Sequence, residues 1–509
     1  MKKFIFASIP FSLLALAFFS HPIYADIYLQ SGGLNHGATN FYSLRNLALG
    51  EPHFSNPDLY NLYDQGASPM GLLETHKEKF NASGIILSNN RATSGDSMRI
   101  SQSAYSFPQI GLFQPGAFGA ILYFQPESEE VQILKGDSVT VSTKRFGIDL
   151  AAGPASGIFR IGFSAHARLG EMKYTGAFKR VILEAPALRF DVGSRIHPAM
   201  EIGAFIGLGG HFDSLESNIS RLERVADLTL PRYGLLADID GTEKIPLKGN
   251  VVFELGKSRL FGEYKPENGI GREYPIIWTD YSTFQTQWLY SFLVKDFTLK
   301  PAIRFAHRSE DAQGYEGIKG NQDPFKKGAE IADLKLTRSI MDYGIGGNFS
   351  FREMVNLLIE WESANHSYTK DSAMEETYHR FTVGLENHLD QIPRVHFPEG
   401  VALALRLGWT WSEEGKIDPG FRSTQFSPYI SSVQIPTRLN PLVAKPDESA
   451  GYGAFHLGIG LDVLKKTLGF NGLLSFPGQI ENFGSGPTKG QGRPANGLEY
   501  GLRIDYRFF

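Results

Sequence analysis

The chain has 509 residues, of which 50 are basic and 54 acidic, and its formal net charge is −4. The balanced charge gives no reason to expect a nucleic-acid partner. Cysteine is absent, which excludes disulfides, thiol catalysis and metal sites with cysteine ligands. The length suits several soluble domains or one large barrel. Fifty-five glycines and 13% aromatic residues favour the barrel, because aromatic girdles are typical of barrels that span a membrane.

Residues 1–25 have the pattern of a secretory signal peptide. Lys2 and Lys3 precede an apolar stretch from 4 to 19, and the mature chain is expected to begin near Asp26. The alternative is an N-terminal membrane anchor. The apolar stretch is too short for an anchor and contains Pro10, since a spanning helix needs roughly 20 apolar residues.

Residues 26–79 lack the alternating pattern of strands and are interrupted by glycine and proline. Leu44, Leu47 and Ala48 predict one helical turn at most. The segment is too long for a linker and too small for a domain. It therefore predicts a plug inside the barrel mouth or lumen, with a loose periplasmic tail as the alternative.

Part of this segment resembles a known family. Arg45–Gly50 reads RNLALG, Leu62-Tyr63 follows, and a five-residue element directly precedes the first predicted strand. That element consists of Ser68, Pro69, Met70, Gly71 and Leu72. The segment resembles the amino-terminal hatch of the FadL/TodX-type family, outer-membrane transporters of long-chain fatty acids and other hydrophobic compounds. Ser68 stands where that family has Asn, and Met70 where it has Ala. The resemblance implies a plugged barrel of fourteen strands.

A hairpin around the turn Gly153–Gly157 shows how the strands are oriented. On its first strand, Ile148 and Leu150 alternate with Asp149. Successive strand residues point to opposite faces, so one face is apolar and the other polar or small. In a membrane barrel the apolar face contacts lipid and the polar face lines a wet lumen. Residues 80–509 carry this pattern repeatedly, which predicts an all-β, antiparallel, up-and-down transmembrane β-barrel.

The connections between strands also alternate in length. Short turns are predicted near residues 115, 155, 198, 257, 296, 353 and 466. Longer polar connections are predicted at 213–246, 309–337, 413–449 and 477–496. Short periplasmic turns and long outer loops are typical of this barrel class. The pattern predicts about 16 to 18 strands, and the weakest signals lie around Lys257 and at 469–476.

The polar faces of the strands predict a charged lumen. The residues expected to meet an anionic head group there are Arg160, His166, Arg168 and Arg406. Arginine binds carboxylates through paired hydrogen bonds, which supports this role. The alternative is an internal network of ion pairs that holds strands and plug together.

The connection 213–246 contains apolar residues at helical spacing. It predicts a short amphipathic helix in an outer loop, which would offer a landing surface for a hydrophobic ligand or would pack on the barrel rim. The landing residues are Leu215, Ile219, Leu222, Leu235 and Leu236.

The last strand, 498–509, ends in phenylalanine, which resembles the signal that the outer-membrane barrel assembly machinery binds, although Phe509 is in phase with the charged residues. The sequence therefore predicts a protein of the Gram-negative-type outer membrane, in contact with its lipids. The expected function is transport of a hydrophobic or amphipathic small molecule through a plugged barrel. A general diffusion porin and a secretion-linked structural barrel are the alternatives. No spacing in the sequence indicates an enzyme, a metal or a cofactor.

Overall fold

The computed structural model describes part of the N-terminal segment and most of the barrel. The described ranges are 44–50, 52–56, 68–75, 78–93, 98–114, 116–134, 137–153, 159–174, 178–197, 199–217, 221–239, 246–266, 272–273, 276–315, 328–352, 354–368, 375–393, 395–414, 450–480 and 495–509. The predicted signal peptide lies outside them. Within these ranges, no helix is long and apolar enough to cross a membrane.

In this described part, eighteen strands form one closed antiparallel β-barrel. They are β1 Phe80–Thr93, β2 Met98–Gln114, β3 Phe118–Leu134, β4 Asp137–Ala152, β5 Arg160–Tyr174, β6 Phe178–His197, β7 Met200–Ser217, β8 Arg221–Ile239, β9 Leu247–Pro266, β10 Ile276–Tyr290, β11 Phe297–Tyr315, β12 Glu330–Phe351, β13 Val355–Tyr368, β14 Glu375–His388, β15 Ala402–Glu414, β16 Ala450–Val463, β17 Leu468–Ile480 and β18 Ala495–Phe508. Two short strands, Arg272–Glu273 and Phe292–Val294, extend the hairpins at β9 and β11.

The barrel closes where its last strand pairs with its first. β18 runs antiparallel to β1 from Phe80 opposite Phe508 to Thr93 opposite Ala495. Closure leaves no free strand edge, so every strand finds hydrogen-bond partners on both sides, as a membrane requires. The strand count lies within the range predicted from the strand pattern. The fourteen strands implied by the resemblance to the FadL/TodX-type family are wrong for this chain.

The N-terminal segment has little regular structure in its described residues. It contains helix α1 Leu44–Ala48, a single 3-10 turn Pro69–Gly71 and helix α2 Leu72–Thr75. The helical turn predicted from Leu44, Leu47 and Ala48 is thus confirmed. Another 3-10 turn, Leu389–Gln391, lies between β14 and β15.

The side chains of the strands are oriented as the alternation predicts, apolar outward and polar inward. On β6, Leu188 and Phe190 are exposed on the outer surface, while Asp191 between Phe190 and Val192 is fully buried. Aromatic residues gather on the outer surface near the end where β1 begins and β18 ends, among them Tyr290, Phe297 and Phe508. An apolar band with an aromatic edge is the surface of an outer-membrane barrel, and the protein belongs to that membrane.

The connections mostly follow the predicted plan. The turns near 115, 155, 198, 296, 353 and 466 all join strands at the end that carries both barrel termini, which we call the periplasmic end. The turn predicted near 257 is wrong, because Lys257 lies inside β9, where it forms an outward ion pair of 2.9 Å with Asp280. This charged pair stands about ten residues from the periplasmic start of β9, the length of a tilted membrane-spanning strand.

The predicted amphipathic helix in 213–246 is also wrong. β7 and β8 occupy most of this stretch and pair with each other, with Leu215 opposite Glu223 and Glu216 opposite Leu222. Ile219 lies outside the described residues. A few apolar residues at helical spacing cannot be distinguished from a hairpin by periodicity alone, and here the spacing runs across the turn between two strands.

Leu235 and Leu236 do not share a landing surface either. They are successive residues of β8, so their side chains point to opposite faces. Leu235 is 61% exposed on the outer surface, and Leu236 is 3% exposed inside the barrel. Leu236 packs there against Met70 of the N-terminal segment.

Candidate functional site

The described part of the N-terminal segment lies against the inner wall on both sides of the barrel. Helix α1 contacts strands β15 to β18. Phe54 packs against Leu289 of β10 and Ala302 of β11. Met70 packs against Phe205 of β7 and Leu236 of β8. Residues 44–50, 52–56 and 68–75 therefore occupy the lumen near the periplasmic end.

Glycines in the wall let the backbone of the segment approach closely. A Cβ atom added at Gly408 of β15 would stand 2.3 Å from the backbone nitrogen of Gly50, and one at Gly384 of β14 would stand 2.5 Å from the carbonyl oxygen of Leu49. Gly50 itself has a φ of 84°, a left-handed conformation that favours glycine. Thr410 of β15 donates a hydrogen bond to its carbonyl oxygen. Larger residues at these wall positions would push the segment off the strands.

The segment makes a fully buried contact with the Glu360 carboxylate of β13. The backbone N–H groups of His53 and Phe54 donate to its two oxygens at 2.8 and 2.7 Å, and the N–H of Ser55 donates to one of them as well. Glu360 is 1% exposed. Successive N–H groups around one carboxylate form an anion-binding nest, so this stretch is fixed to a buried charge of the wall.

A second carboxylate, Glu362 of the same strand, holds the side chain of His53. Its oxygens lie 2.8 Å from His53 Nδ1 and 3.2 Å from Arg304 Nη1. Arg380 of β14 lies 3.6 Å from the same carboxylate and donates to the carbonyl oxygen of Gly50 at 3.1 Å. The wall thus supplies buried cations and anions in one network, and His53 and Gly50 complete it.

Helix α1 is held by a third carboxylate, Glu386 of β14. Arg45 donates two hydrogen bonds to it, at 2.9 and 2.7 Å, a bidentate geometry that fixes the orientation of the guanidinium group. Arg406 of β15 donates to the same carboxylate at 2.7 Å and to Asn471 at 2.9 Å. His388 lies 3.3 Å away on the other side. Glu386 therefore joins the helix to β14 and β15, and Arg406 extends the network to β17.

The other side of the lumen holds the element Ser68–Leu72 by apolar packing. Met70 and Leu72 are each 1% exposed. Leu72 and Leu73 pack with Phe113, Ile121 and Ala151 of β2 to β4. The hydroxyl of Ser68 accepts a hydrogen bond of 3.2 Å from the N–H of Met70 and so caps the short turn. Ser68 thereby performs the capping role of an Asn at this position.

A cavity of about 400 Å³ lies beside α1 at the periplasmic end of the lumen. Its charged lining comes from α1 and from β14 to β18. These residues are Arg45, Glu386, His388, Arg406, Asp462, Arg503, Asp505 and Arg507. Leu44 and Phe470 contribute apolar surface. In volume this matches the pockets that bind small molecules.

Of the four lumen residues predicted as head-group candidates, the structure describes the side chains of Arg160 and Arg406, and these two lie apart. Arg160 of β5 is buried and pairs with Glu201 at 2.9 Å. Arg406 lies across the lumen at the cavity just described. His166 and Arg168 occupy β5 positions opposite Gly147 and Arg145 of β4, but their side chains lie outside what is described. The ion pairs of Arg160 and Arg406 fit the alternative of an internal network.

The roles of Glu362, Arg380 and Glu386 are not among the predictions from sequence. Glu386 did have a signal: Val383 and Leu385 lie on the outward face of this strand, so Gly384 and Glu386 lie on the inward face. Nothing in the sequence showed which N-terminal residue would meet it. Among the described residues, no group of three histidine or acidic side chains is arranged to hold a metal ion.

These features define the class of protein as an outer-membrane β-barrel with an N-terminal segment docked in its lumen. Comparisons with known protein families and with curated proteins give no match. Solved structures do match: the unliganded ferric citrate transporter FecA has 10% identity and a TM-score of 0.43, over 85% of this chain and 72% of that chain.

Two further structures show the same level of likeness. OccAB3 from Acinetobacter baumannii has 10% identity and a TM-score of 0.36, covering 85% of this chain and 99% of that chain. The copper transporter OprC has 8% identity and a TM-score of 0.41, covering 85% and 81%. At these identities the likeness concerns the barrel fold alone.

Proposed function

We propose that this chain is an outer-membrane transporter for small molecules whose N-terminal segment closes the lumen with its described residues, 44–50, 52–56 and 68–75. The observation that carries the proposal is the nest of three N–H groups around Glu360. An isolated buried charge is costly, so a wall that faced only a loose tail would not be expected to bury Glu360. The segment supplies the hydrogen-bond donors that compensate this cost.

The described wall of the lumen supports a proposal about the cargo. From the sequence alone we expect a hydrophobic or amphipathic ligand, such as a long-chain fatty acid, landing on Leu215, Ile219, Leu222, Leu235 and Leu236. β7 and β8 replace the expected helix, and Leu235 faces lipid. The described inner wall instead presents buried charges, including Arg304, Glu362 and Arg380. We therefore propose a polar or charged small solute in preference to a hydrocarbon.

Single-channel conductance in a planar lipid bilayer tests the proposal. The wild-type protein should conduct little, and a variant lacking residues 26–75 should insert and conduct steadily, because the lumen of an eighteen-strand barrel is wide enough for an aqueous channel. Glu399→Gln, an exposed change outside the lumen, serves as the matched control and should behave as wild type.

Two outcomes would favour the alternatives. Steady conductance of the wild-type protein would support a general diffusion porin. Unchanged conductance after the deletion would mean that the segment does not close the lumen. Swelling of proteoliposomes in test solutes then separates a transporter from a secretion-linked structural barrel, which should pass no solute while its plug is in place.

A further inference from the structure

The cavity beside α1 carries more positive than negative side chains. Its guanidinium groups belong to Arg45, Arg406, Arg503 and Arg507, and its carboxylates to Glu386, Asp462 and Asp505. Four cations face three anions. The excess charge is uncompensated by the lining itself. An occupant with one or two negative charges would balance it.

The arginines of the last strand have donor groups left over. Arg503 donates from Nε to Asp505 at 2.7 Å, and in the described part of the chain its two terminal nitrogens have no hydrogen-bond partner. Arg507 reaches Asp462 only at 3.4 Å and Asp505 only at 3.6 Å. Both arginines are about a quarter exposed. Their guanidinium groups are therefore accessible from the cavity and able to form further hydrogen bonds.

We propose that this cavity is a binding site for a small anion that bears a carboxylate or phosphate group. Arginine recognises both groups through paired N–H donors. A volume of about 400 Å³ admits a small organic acid. The site lies at the periplasmic end of the lumen, where β14, β16 and β18 end and β15 and β17 begin, so its occupant is a solute about to leave the lumen or one that enters from the periplasm. Reading this anion as the transported solute rests on the function proposed above.

The site is connected to the docked segment through Arg45. Arg45 lines the cavity and also makes the bidentate pair with Glu386 that holds α1. An anion bound beside it competes with Glu386 for the same guanidinium. Occupation of the cavity therefore weakens the hold of the wall on α1.

Isothermal titration of the full-length protein in detergent tests the site, with succinate and inorganic phosphate as separate probes. We expect saturable binding of at least one probe, weakened at least tenfold in Arg503→Gln and in Arg507→Gln, and largely kept in Arg503→Lys. Arg352→Gln removes an exposed arginine of a periplasmic turn outside the cavity and should bind as wild type does. Preference for succinate or for phosphate identifies the head group.

Three results would overturn the site: no saturable binding of either probe, binding that the two glutamine variants leave unchanged, or an equal loss in Arg352→Gln. Heat-modifiable migration shows whether each variant is folded. If a glutamine variant is not folded, the site is tested instead with Arg503→Lys and with wild-type protein in the presence of chloride as a competitor. Conductance measured on the same samples keeps the two proposals apart. A conducting wild type that binds succinate contradicts the plug but leaves the site standing.

Discussion

The two sides of the lumen hold one N-terminal segment by different forces. On the side of β12 to β17, Arg45 and residues 53–55 meet the buried carboxylates Glu360, Glu362 and Glu386, which we call the charged anchor. On the side of β2 to β8, residues 68–73 are enclosed by apolar side chains, which we call the apolar anchor. The first depends on hydrogen bonds and charge, the second on area removed from water.

This difference assigns different behaviour to the two anchors. Apolar burial is non-directional. The carboxylates of the charged anchor are buried, but their partners Arg45 and His53 are more than one-third exposed, so these pairs are open to screening by salt and to competing ions. The apolar anchor also lies close in sequence to β1, which begins at Phe80. We expect the charged anchor to release first and the apolar anchor to keep the segment tethered.

The largest effect is expected from a charge placed in the apolar anchor. Met70→Asp buries a carboxylate among Phe205 and Leu236, which costs several kcal/mol. The anchor should detach, and bilayer conductance should rise toward that of the deletion variant. Met70→Leu keeps the volume and should cost less than about 1.5 kcal/mol. Conductance of Met70→Asp equal to that of wild type would contradict an apolar anchor.

Truncating a wall residue of the apolar anchor is expected to come next. Leu236→Ala should destabilise by about 2–5 kcal/mol, because it leaves a cavity beside Met70. Leu235→Ala, one residue earlier on the lipid face, is the matched control and should cost clearly less, since lipid fills the space. Denaturant unfolding in detergent or lipid measures both. Equal effects would mean that the two leucines do not face opposite sides.

A smaller effect is expected at the charged anchor. Glu360→Gln keeps the shape but removes the charge that three N–H groups share, and a hydrogen bond to a charged group contributes about 1.5–3 kcal/mol. Limited proteolysis between residues 44 and 67 should become several-fold faster while the barrel stays folded. Glu399→Gln should leave the cleavage rate as it is. An unaltered cleavage rate in Glu360→Gln would mean that the nest does not hold the segment on the wall.

The smallest effect is expected for Arg45→Ala. The side chain of Arg45 is about one-third exposed, and Arg406 and His388 still face Glu386 in its absence. A pair of this exposure contributes about 1 kcal/mol or less. The proteolysis rate should rise modestly at low salt, and the difference from wild type should shrink at high salt. A large effect that salt does not alter would place Arg45 in a role other than the ion pair.

The orientation of the strands could be predicted from sequence because alternation with a period of two is a local property. Asp149, Asp191 and Arg406 are inward where that alternation places them. The hairpin of β7 and β8 could not be predicted in the same way. Its leucines satisfy a helical spacing across a turn, and Lys257 interrupts the apolar series of β9 without ending the strand.

The docking residues show a different limit of prediction. The pair of Arg45 and Glu386 joins residues that are 341 positions apart, and its formation depends on where the barrel closes and how its strands are staggered. Neither the closure of the barrel nor the stagger of its strands can be predicted from a local sequence pattern. The glycines that admit the segment, such as Gly408, look in the sequence like any other glycine of a strand.

Thiol labelling at Ser55 tests directly whether the segment is docked against the wall. The chain contains no cysteine, so Ser55→Cys introduces a single thiol. Ser55 is fully buried and its hydroxyl has no hydrogen-bond partner within the described residues, so the near-isosteric change should leave the fold intact. The thiol should resist a water-soluble maleimide until the protein is unfolded, while Glu399→Cys at an exposed position should react at once. Equal labelling rates for the two thiols in the folded barrel would contradict the account.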